Sequence, residues 1–201
     1  MWETSLIMNN FNLRSNVCLY DEEYYKRAIK QADTSMKFFD MLALILNDIC
    51  GPKKVLDIGC AKGFFVHSFK KLNVEAYGVD ISEYAVANCL PQVRERLMII
   101  DIEKDKLPFI DNYFDLVTCV EVLEHLHNFD NFLNEARRTI VQGGYLFITT
   151  PKITNLVALR DPTHKNVRRR GYWSNLLKEF FFISDDKILK EFIGFFYKAC
   201  I

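Results

Sequence analysis

The stretch that decides the fold of this chain is Val55-Leu56-Asp57-Ile58-Gly59-Cys60-Ala61-Lys62-Gly63. A short β-rich run breaks here into a tight glycine loop, and helical spacing of apolar residues begins directly afterwards, at Phe64. In a doubly wound sheet, ligands bind outside the carboxyl ends of the strands, where glycine lets the backbone approach a ligand that a Cβ atom would exclude. The stretch therefore predicts a strand, a ligand-binding loop and the start of a helix.

Acidic residues end three successive β-rich runs of the sequence. Asp57 ends the first run, Asp80 the second and Asp101 the third. A carboxylate at a buried strand end needs a hydrogen-bonding or cationic partner, and the two hydroxyls of a ribose suit its two oxygens. For Asp57 taken alone, capping of the loop amides is the alternative role. The loop glycines, Gly59 and Gly63, do not follow the G-x-G-x-x-G spacing, which argues against a dinucleotide site.

The rest of the chain alternates strand and helix patterns, which predicts a doubly wound, mainly parallel α/β sheet. The predicted strands are Lys54–Ile58, Glu75–Val79, Leu97–Ile102, Phe114–Val120 and Tyr145–Thr150, and the predicted helices between them are Phe64–Leu72, Ser82–Asn88 and Phe129–Ile140. Apolar spacing from Glu22 to Ile49 predicts an amphipathic helix in two pieces that covers the domain. Beyond Pro151 the pattern indicates a polar loop, a short helix at Tyr172–Lys178 and two aromatic runs, Phe180–Ile183 and Gly194–Ile201, that could pair as terminal strands.

Length and composition favour one globular domain. The 201 residues are 50% hydrophobic and 26% charged, which is too apolar for a disordered chain and too charged for a membrane protein. We expect residues 1–50 to form a helical cover, residues 51–151 the ligand-binding core, and residues 152–201 a substrate-side loop with the terminal strands.

Charge and cysteine usage narrow the choice of partners. Lys plus Arg equals Asp plus Glu at 26 each, so the whole molecule offers no general attraction to nucleic acid. The six cysteines are scattered without a Cys-x-x-Cys pair, and no cluster has the spacing of metal ligands. No apolar stretch is long enough to span a bilayer, and the N-terminus lacks a signal pattern. We therefore expect a cytoplasmic protein, monomeric or homodimeric, that uses no metal and acts on a small molecule.

The stretch from Val55 to Pro151 resembles the class I S-adenosylmethionine (SAM)-dependent methyltransferases, the seven-stranded Rossmann-like family. The resemblance rests on the loop already quoted and on four later motifs: Gly78-Val79-Asp80-Ile81-Ser82, Leu107-Pro108-Phe109 with Phe114-Asp115-Leu116-Val117, Glu121-Val122-Leu123-Glu124-His125-Leu126, and Gly143-Gly144-Tyr145-Leu146-Phe147-Ile148. It implies the strand order 3-2-1-4-5-7-6 with the last strand antiparallel. Ala61 is a departure, because the family most often has glycine there.

The resemblance also implies SAM as cofactor and S-adenosylhomocysteine as product. Asp80 would hold the ribose, Asp101 the adenine amine, and the loop the methionine part, while Val120 and Glu121 would border the reactive methyl group. The expected cofactor-binding residues are Asp57, Gly59, Cys60, Ala61, Gly63, Asp80, Ile81, Asp101, Ile102 and Val120.

The acceptor side is defined less sharply by the sequence. Residues 160–173 resemble a loop and helix of a subgroup that acts on sugars or other small acceptors, and His164 there is a candidate general base. His125 and Glu121, four residues apart, are the competing catalytic candidates. Two alternatives remain open: an RNA methyltransferase, which the run Arg168-Arg169-Arg170 would suit, and a non-catalytic SAM-binding partner subunit.

Overall fold

The structure, a computed structural model, describes residues 19–28, 32–178, 182–183 and 194–198. Within these ranges the strands are β1 (Lys54–Ile58), β2 (Glu75–Asp80), β3 (Leu97–Ile99), β4 (Phe114–Val120), β5 (Ile140–Thr149), β6 (Phe182–Ile183) and β7 (Gly194–Lys198). They form one sheet in the order β3-β2-β1-β4-β5-β7-β6. Strands β1 to β5 pair in parallel, and β7 runs antiparallel to both β5 and β6. The predicted α/β class is confirmed, and the strand order is the one that the resemblance implies.

The described helices are α1 (Glu22–Ala28), α2 (Ala32–Cys50), α3 (Phe64–Lys71), α4 (Glu83–Ala87), α5 (Asp130–Thr139), α6 (Leu156–Arg160) and α7 (Arg170–Lys178). None of these described helices has the length and apolar character that crossing a bilayer requires. Two apolar cores lie on opposite faces of the sheet, because successive side chains of a strand point to opposite sides. Leu56 and Ile58 pack with α5 and α7 in one core, and Val55 packs with α2 and α3 in the other.

Most predicted boundaries differ from the structure by one or two residues, and three elements differ more clearly. Strand β3 ends at Ile99, not Ile102, because Asp101 starts a turn in which its carbonyl accepts from the amides of Lys104 and Asp105. Strand β5 begins at Ile140, before the double glycine, and pairs with β4 through an irregularity in register. Helix α6 lies where a loop is predicted, and the side chain of Asn155 caps it by accepting from the amides of Val157 and Ala158.

Candidate active site

The loop after β1 is shaped by backbone hydrogen bonds to β2. The amides of Gly59 and Cys60 both donate to the carbonyl of Val79, at 2.8 and 3.0 Å, which turns the chain sharply at the carboxyl edge of the sheet. Gly59 has φ 81° and Ala61 has φ 47°. Alanine therefore adopts the left-handed conformation in place of the family's glycine, at a cost of roughly 1 kcal/mol. The hydrogen bond from its amide to the Asp80 carboxylate, at 2.7 Å, holds it there.

The two loop glycines are required for different reasons. A Cβ atom on Gly59 would lie 2.1 Å from the Val122 side chain, so this glycine makes room for the wall after β4 rather than for open ligand space. Gly63 is the N-cap of α3 and does not line the cavity described below. A Cβ atom on Gly63 would meet Val93 and Leu97, both under 3.0 Å away. Gly63 therefore serves packing and backbone conformation at the start of α3.

Asp80 ends β2 with both carboxylate oxygens already held. Oδ2 accepts from the amide of Ala61, and Oδ1 accepts from the amide of Ser82 at 2.8 Å. Each carboxylate oxygen can accept more than one hydrogen bond, so these amides fix the side chain without using up its capacity. Burial raises the pKa of Asp80, and the amide hydrogen bonds oppose that rise. The geometry is that of a preorganised acceptor for two neighbouring hydroxyl groups.

Asp57 is the most deeply placed of the three acids. Its Oδ1 accepts from Thr118 Oγ1 of the neighbouring strand at 2.7 Å. The pKa of Asp57 is raised to about 7, chiefly by burial; the Thr118 hydroxyl opposes this rise and the nearby Asp80 charge adds to it. A cationic ligand group beside Asp57 would favour the ionised carboxylate.

Asp101 stands apart from the other two acids. It lies two residues beyond β3, so it does not end the strand as predicted. Its carboxylate accepts from Lys104 Nζ at 2.6 Å and from the amide of Glu103 at 3.1 Å. Ile81 and Ile102, the expected neighbours of an adenine ring, line the same cavity as Asp101.

One cavity of about 590 Å³ joins the predicted cofactor residues. Of the ten expected residues, nine line it and Gly63 does not; the nine are Asp57, Gly59, Cys60, Ala61, Asp80, Ile81, Asp101, Ile102 and Val120. Aromatic side chains from the N-terminal cover line it as well: Tyr20, Tyr24, Tyr25, Phe38 and Phe39. Five acidic residues and no lysine or arginine are among the described residues that line it. The cavity therefore suits a cation and disfavours a pyrophosphate.

The segment after β4 forms the far wall of the cavity. Glu121 has φ 55°, and its amide donates to the carbonyl of Thr149 at 3.1 Å, which fixes the chain as it leaves the strand. Glu121 and His125 both line the cavity. Burial raises the pKa of Glu121 and lowers the pKa of His125 to about 4, where the neighbouring His164 adds to the effect.

His164 lies behind His125 and does not line the cavity. The two rings meet edge to face, with centroids 4.6 Å apart. Beside them lies Glu124, which is fully buried and is not among the site residues predicted from the sequence. Burial, with the charge of Glu121 as the second cause, raises the pKa of Glu124 to about 8. The separation of Glu124 and His164 along the chain gives no motif, so only the structure brings them together.

Comparison with known proteins relates this chain to methyltransferases. Residues 56–148 match the family described as a methyltransferase domain. The ubiquinone biosynthesis O-methyltransferase of Glaesserella parasuis is 31% identical over 106 residues, which cover 49% of this chain and 45% of that protein. The mitochondrial enzyme of the same name from Schizosaccharomyces pombe is 35% identical over 115 residues, covering 53% of this chain and 41% of that protein.

The chain thus spans under half the length of these two relatives. A SAM-dependent methyltransferase of known structure from Archaeoglobus fulgidus is 21% identical, with a TM-score of 0.67 over 88% of this chain and 99% of that one. At that identity the likeness establishes the fold.

Proposed function

We propose that this chain is a SAM-dependent methyltransferase that methylates an oxygen atom of a small-molecule acceptor. The acidic cavity at the carboxyl edge of the sheet is the observation that carries the proposal. SAM has two cationic groups, an ammonium and a sulfonium, and the described cavity wall offers carboxylates without a lysine or arginine. A ligand rich in phosphate would meet repulsion at the same wall.

The donor set fits the cofactor part by part. Asp80 holds the ribose hydroxyls, because two backbone amides already aim its oxygens. Asp57 accepts from the ammonium group, and Ile81 and Ile102 flank the adenine ring. Asp101, fixed by Lys104, accepts from the adenine amine. Bound SAM supplies an electrophilic methyl group on a sulfonium.

The chain's own contribution is to exclude water and align the acceptor. Positive charge disperses as the methyl group leaves the sulfonium, so water stabilises the reactants more than the transition state. The aromatic cover formed by Tyr20, Tyr24, Tyr25, Phe38 and Phe39 lines one side of the cavity and reduces the contact of a bound ligand with water. Alignment and desolvation together can contribute several kcal/mol without a covalent intermediate.

Glu121 is the side chain best placed to take the proton of an acceptor hydroxyl. It lines the cavity directly after Val120, and its backbone is fixed by Thr149. The Glu121 carboxylate would accept the proton of the acceptor hydroxyl, and bound SAM would supply the methyl group to the acceptor oxygen. His125 lines the same wall and is the competing base, whereas His164 lies behind it.

Oxygen is favoured as the methylated atom because the two curated relatives are named as O-methyltransferases. A sugar or a related hydroxyl metabolite is the acceptor class we propose. Aromatic side chains of the cover offer flat apolar surface against which such a ring can pack.

Calorimetry with SAM and S-adenosylhomocysteine tests the first half of the proposal. We expect micromolar binding to the wild type, at least tenfold weaker binding to Asp80→Ala, and unchanged binding to Asp48→Ala, which removes an exposed acid on α2. Transfer of labelled methyl groups to a panel of hydroxyl acceptors tests the second half. Binding without transfer to any acceptor would favour a non-catalytic subunit, and no binding at all would reject the site.

A further inference from the structure

Three side chains that commonly bind metals meet behind the wall of the cavity. Glu124, His125 and His164 each offer one ligand atom, and these atoms all lie within 4.8 Å of one another. They come from two separate parts of the chain: the turn after β4 and the segment after α6. His125 borders the cavity, while Glu124 is 0% exposed and the His164 side chain is 12% exposed.

The Glu124 carboxyl group is the first sign that a ligand belongs here. By distance and angle neither of its oxygens makes a full hydrogen bond, and both are shielded from solvent; the Thr150 hydroxyl and the Glu121 carboxyl are its polar neighbours. Buried carboxylates in folded proteins are paired, hydrogen-bonded or bound to a metal. The backbone carbonyl of Glu124, in contrast, accepts hydrogen bonds from the amides of Lys165 and Asn166.

Each of the two imidazole rings lies with Nδ1 next to a backbone carbonyl oxygen, as is common for metal-binding histidines. His164 Nδ1 lies 2.8 Å from the carbonyl oxygen of Ala158, and His125 Nδ1 lies 3.3 Å from that of Thr163. A carbonyl oxygen can only accept, so the proton of each neutral ring is on Nδ1 and the lone pair is on Nε2. A backbone carbonyl on the other ring nitrogen is the usual support for a ligating imidazole.

We propose that Glu124, His125 and His164 bind one divalent transition-metal ion of the zinc type. Two imidazoles and one carboxylate are a donor set that zinc uses, whereas calcium and magnesium favour oxygen ligands alone. Zinc bonds of about 2.0–2.1 Å place tetrahedral ligands about 3.3 Å apart, so binding requires the ligand atoms to approach one another by at most about 1.5 Å. Asp161, whose Oδ2 lies 4.0 Å from His164 Nε2, adds negative charge beside the ion.

The ion would join the turn after β4 to the substrate-side segment after α6. Lys165 and Asn166 already bring these segments together through the Glu124 carbonyl, and the Asn166 side chain donates to the carbonyl of Leu126. Metal binding adds a link between side chains at the same junction. It does not depend on methyl transfer, so the site can hold whether or not the proposed function does.

Titration of the full chain with Co²⁺ tests the site directly, after treatment with a chelator. Cobalt is the probe because its absorption spectrum distinguishes thiolate ligands from imidazole and carboxylate, and the chain has six cysteines. We expect one Co²⁺ per chain, no thiolate absorption, and displacement by Zn²⁺. His164→Ala and Glu124→Gln should each weaken binding at least tenfold. His127→Ala is the matched control, because that ring is 57% exposed and outside the cluster.

Thermal unfolding of the same proteins gives a readout that is independent of activity. Zn²⁺ should raise the melting temperature of the wild type and of His127→Ala, but not that of His164→Ala. If Glu124→Gln does not fold, the comparison between His164→Ala and His127→Ala decides alone. Absence of stoichiometric binding, thiolate absorption, or equal affinity in His164→Ala would each overturn the proposal. SAM calorimetry on the same samples keeps this outcome separate from that of the proposed function.

Discussion

Replacing Asp57 with asparagine should make the ligand-free protein more stable and its binding of SAM weaker. The wild-type carboxyl group is fully buried, and its one hydrogen bond is accepted from Thr118 Oγ1. The asparagine amide oxygen can accept the same hydrogen bond. The substitution therefore removes the ionisable group while keeping its shape and its partner.

The magnitude follows from the pKa of Asp57, which burial raises from 3.8 to about 7. Between these values the unfolded chain has lost the proton and the folded chain retains it, so stability falls as the pH rises. Three pKa units correspond to about 4 kcal/mol, reached in full above pH 7. Asparagine has no such penalty. We expect the free energy of unfolding of Asp57→Asn to exceed that of the wild type by about 1.5 kcal/mol at pH 5 and by about 4 kcal/mol at pH 8.

Urea unfolding at the two pH values measures the difference, and calorimetry at pH 8 measures SAM affinity. Affinity should fall at least tenfold, because the neutral amide cannot pair with the ammonium group. Asp48→Asn, on the exposed side of α2, should change neither quantity. A stability difference that does not grow between pH 5 and pH 8 would refute the reasoning, since Asp57 would then be ionised in the folded protein throughout.

Three further outcomes are expected from the site geometry. Asp80→Asn should bind SAM more weakly than the wild type but better than Asp80→Ala, because asparagine retains one acceptor for the loop amides; equal calorimetric affinities in all three would remove Asp80 from the site. Gly59→Ala should lose at least about 1 kcal/mol of stability and weaken SAM binding, because the φ of residue 59 is positive and the added Cβ would meet Val122. Gly171→Ala is the control in the same unfolding experiment, because the Cβ added there meets open space. Glu121→Gln should lower SAM affinity less than Asp80→Ala does, and it should lower turnover by roughly 10²–10⁴-fold. A normal rate there with a collapsed rate in His125→Ala would transfer the role of base to His125.

The central sheet could be predicted because its strands are mostly apolar, β-rich runs. Strands β1 and β4 have the bounds that the sequence predicts, since buried parallel strands read as unbroken hydrophobic segments. Strand β3 is shorter than predicted, although Ile100 and Ile102 continue the apolar pattern. The hydrogen bonds around Asp101 form a turn there, and a periodicity argument does not detect such local side-chain competition.

The candidate site likewise contains residues that the sequence could place and residues that only the folded chain brings together. Asp57 and Asp80 lie at the carboxyl ends of two neighbouring strands, so the sequence alone places them at one edge of the sheet. The packing of Gly59 against Val122 and the meeting of Glu124 with His164 depend on how distant segments come together. His164 has a plausible position in the sequence, but the structure puts His125 between it and the cavity.

The acidic lining of the cavity also bears on product inhibition. Methyl transfer converts the cationic sulfonium of the cofactor into a neutral thioether, while the carboxylates around it remain in place. The cavity should therefore hold S-adenosylhomocysteine less tightly than SAM, and spent cofactor should exchange for fresh cofactor without help from a second protein. A cavity lined with lysine or arginine would have the opposite preference and would stall on its own product.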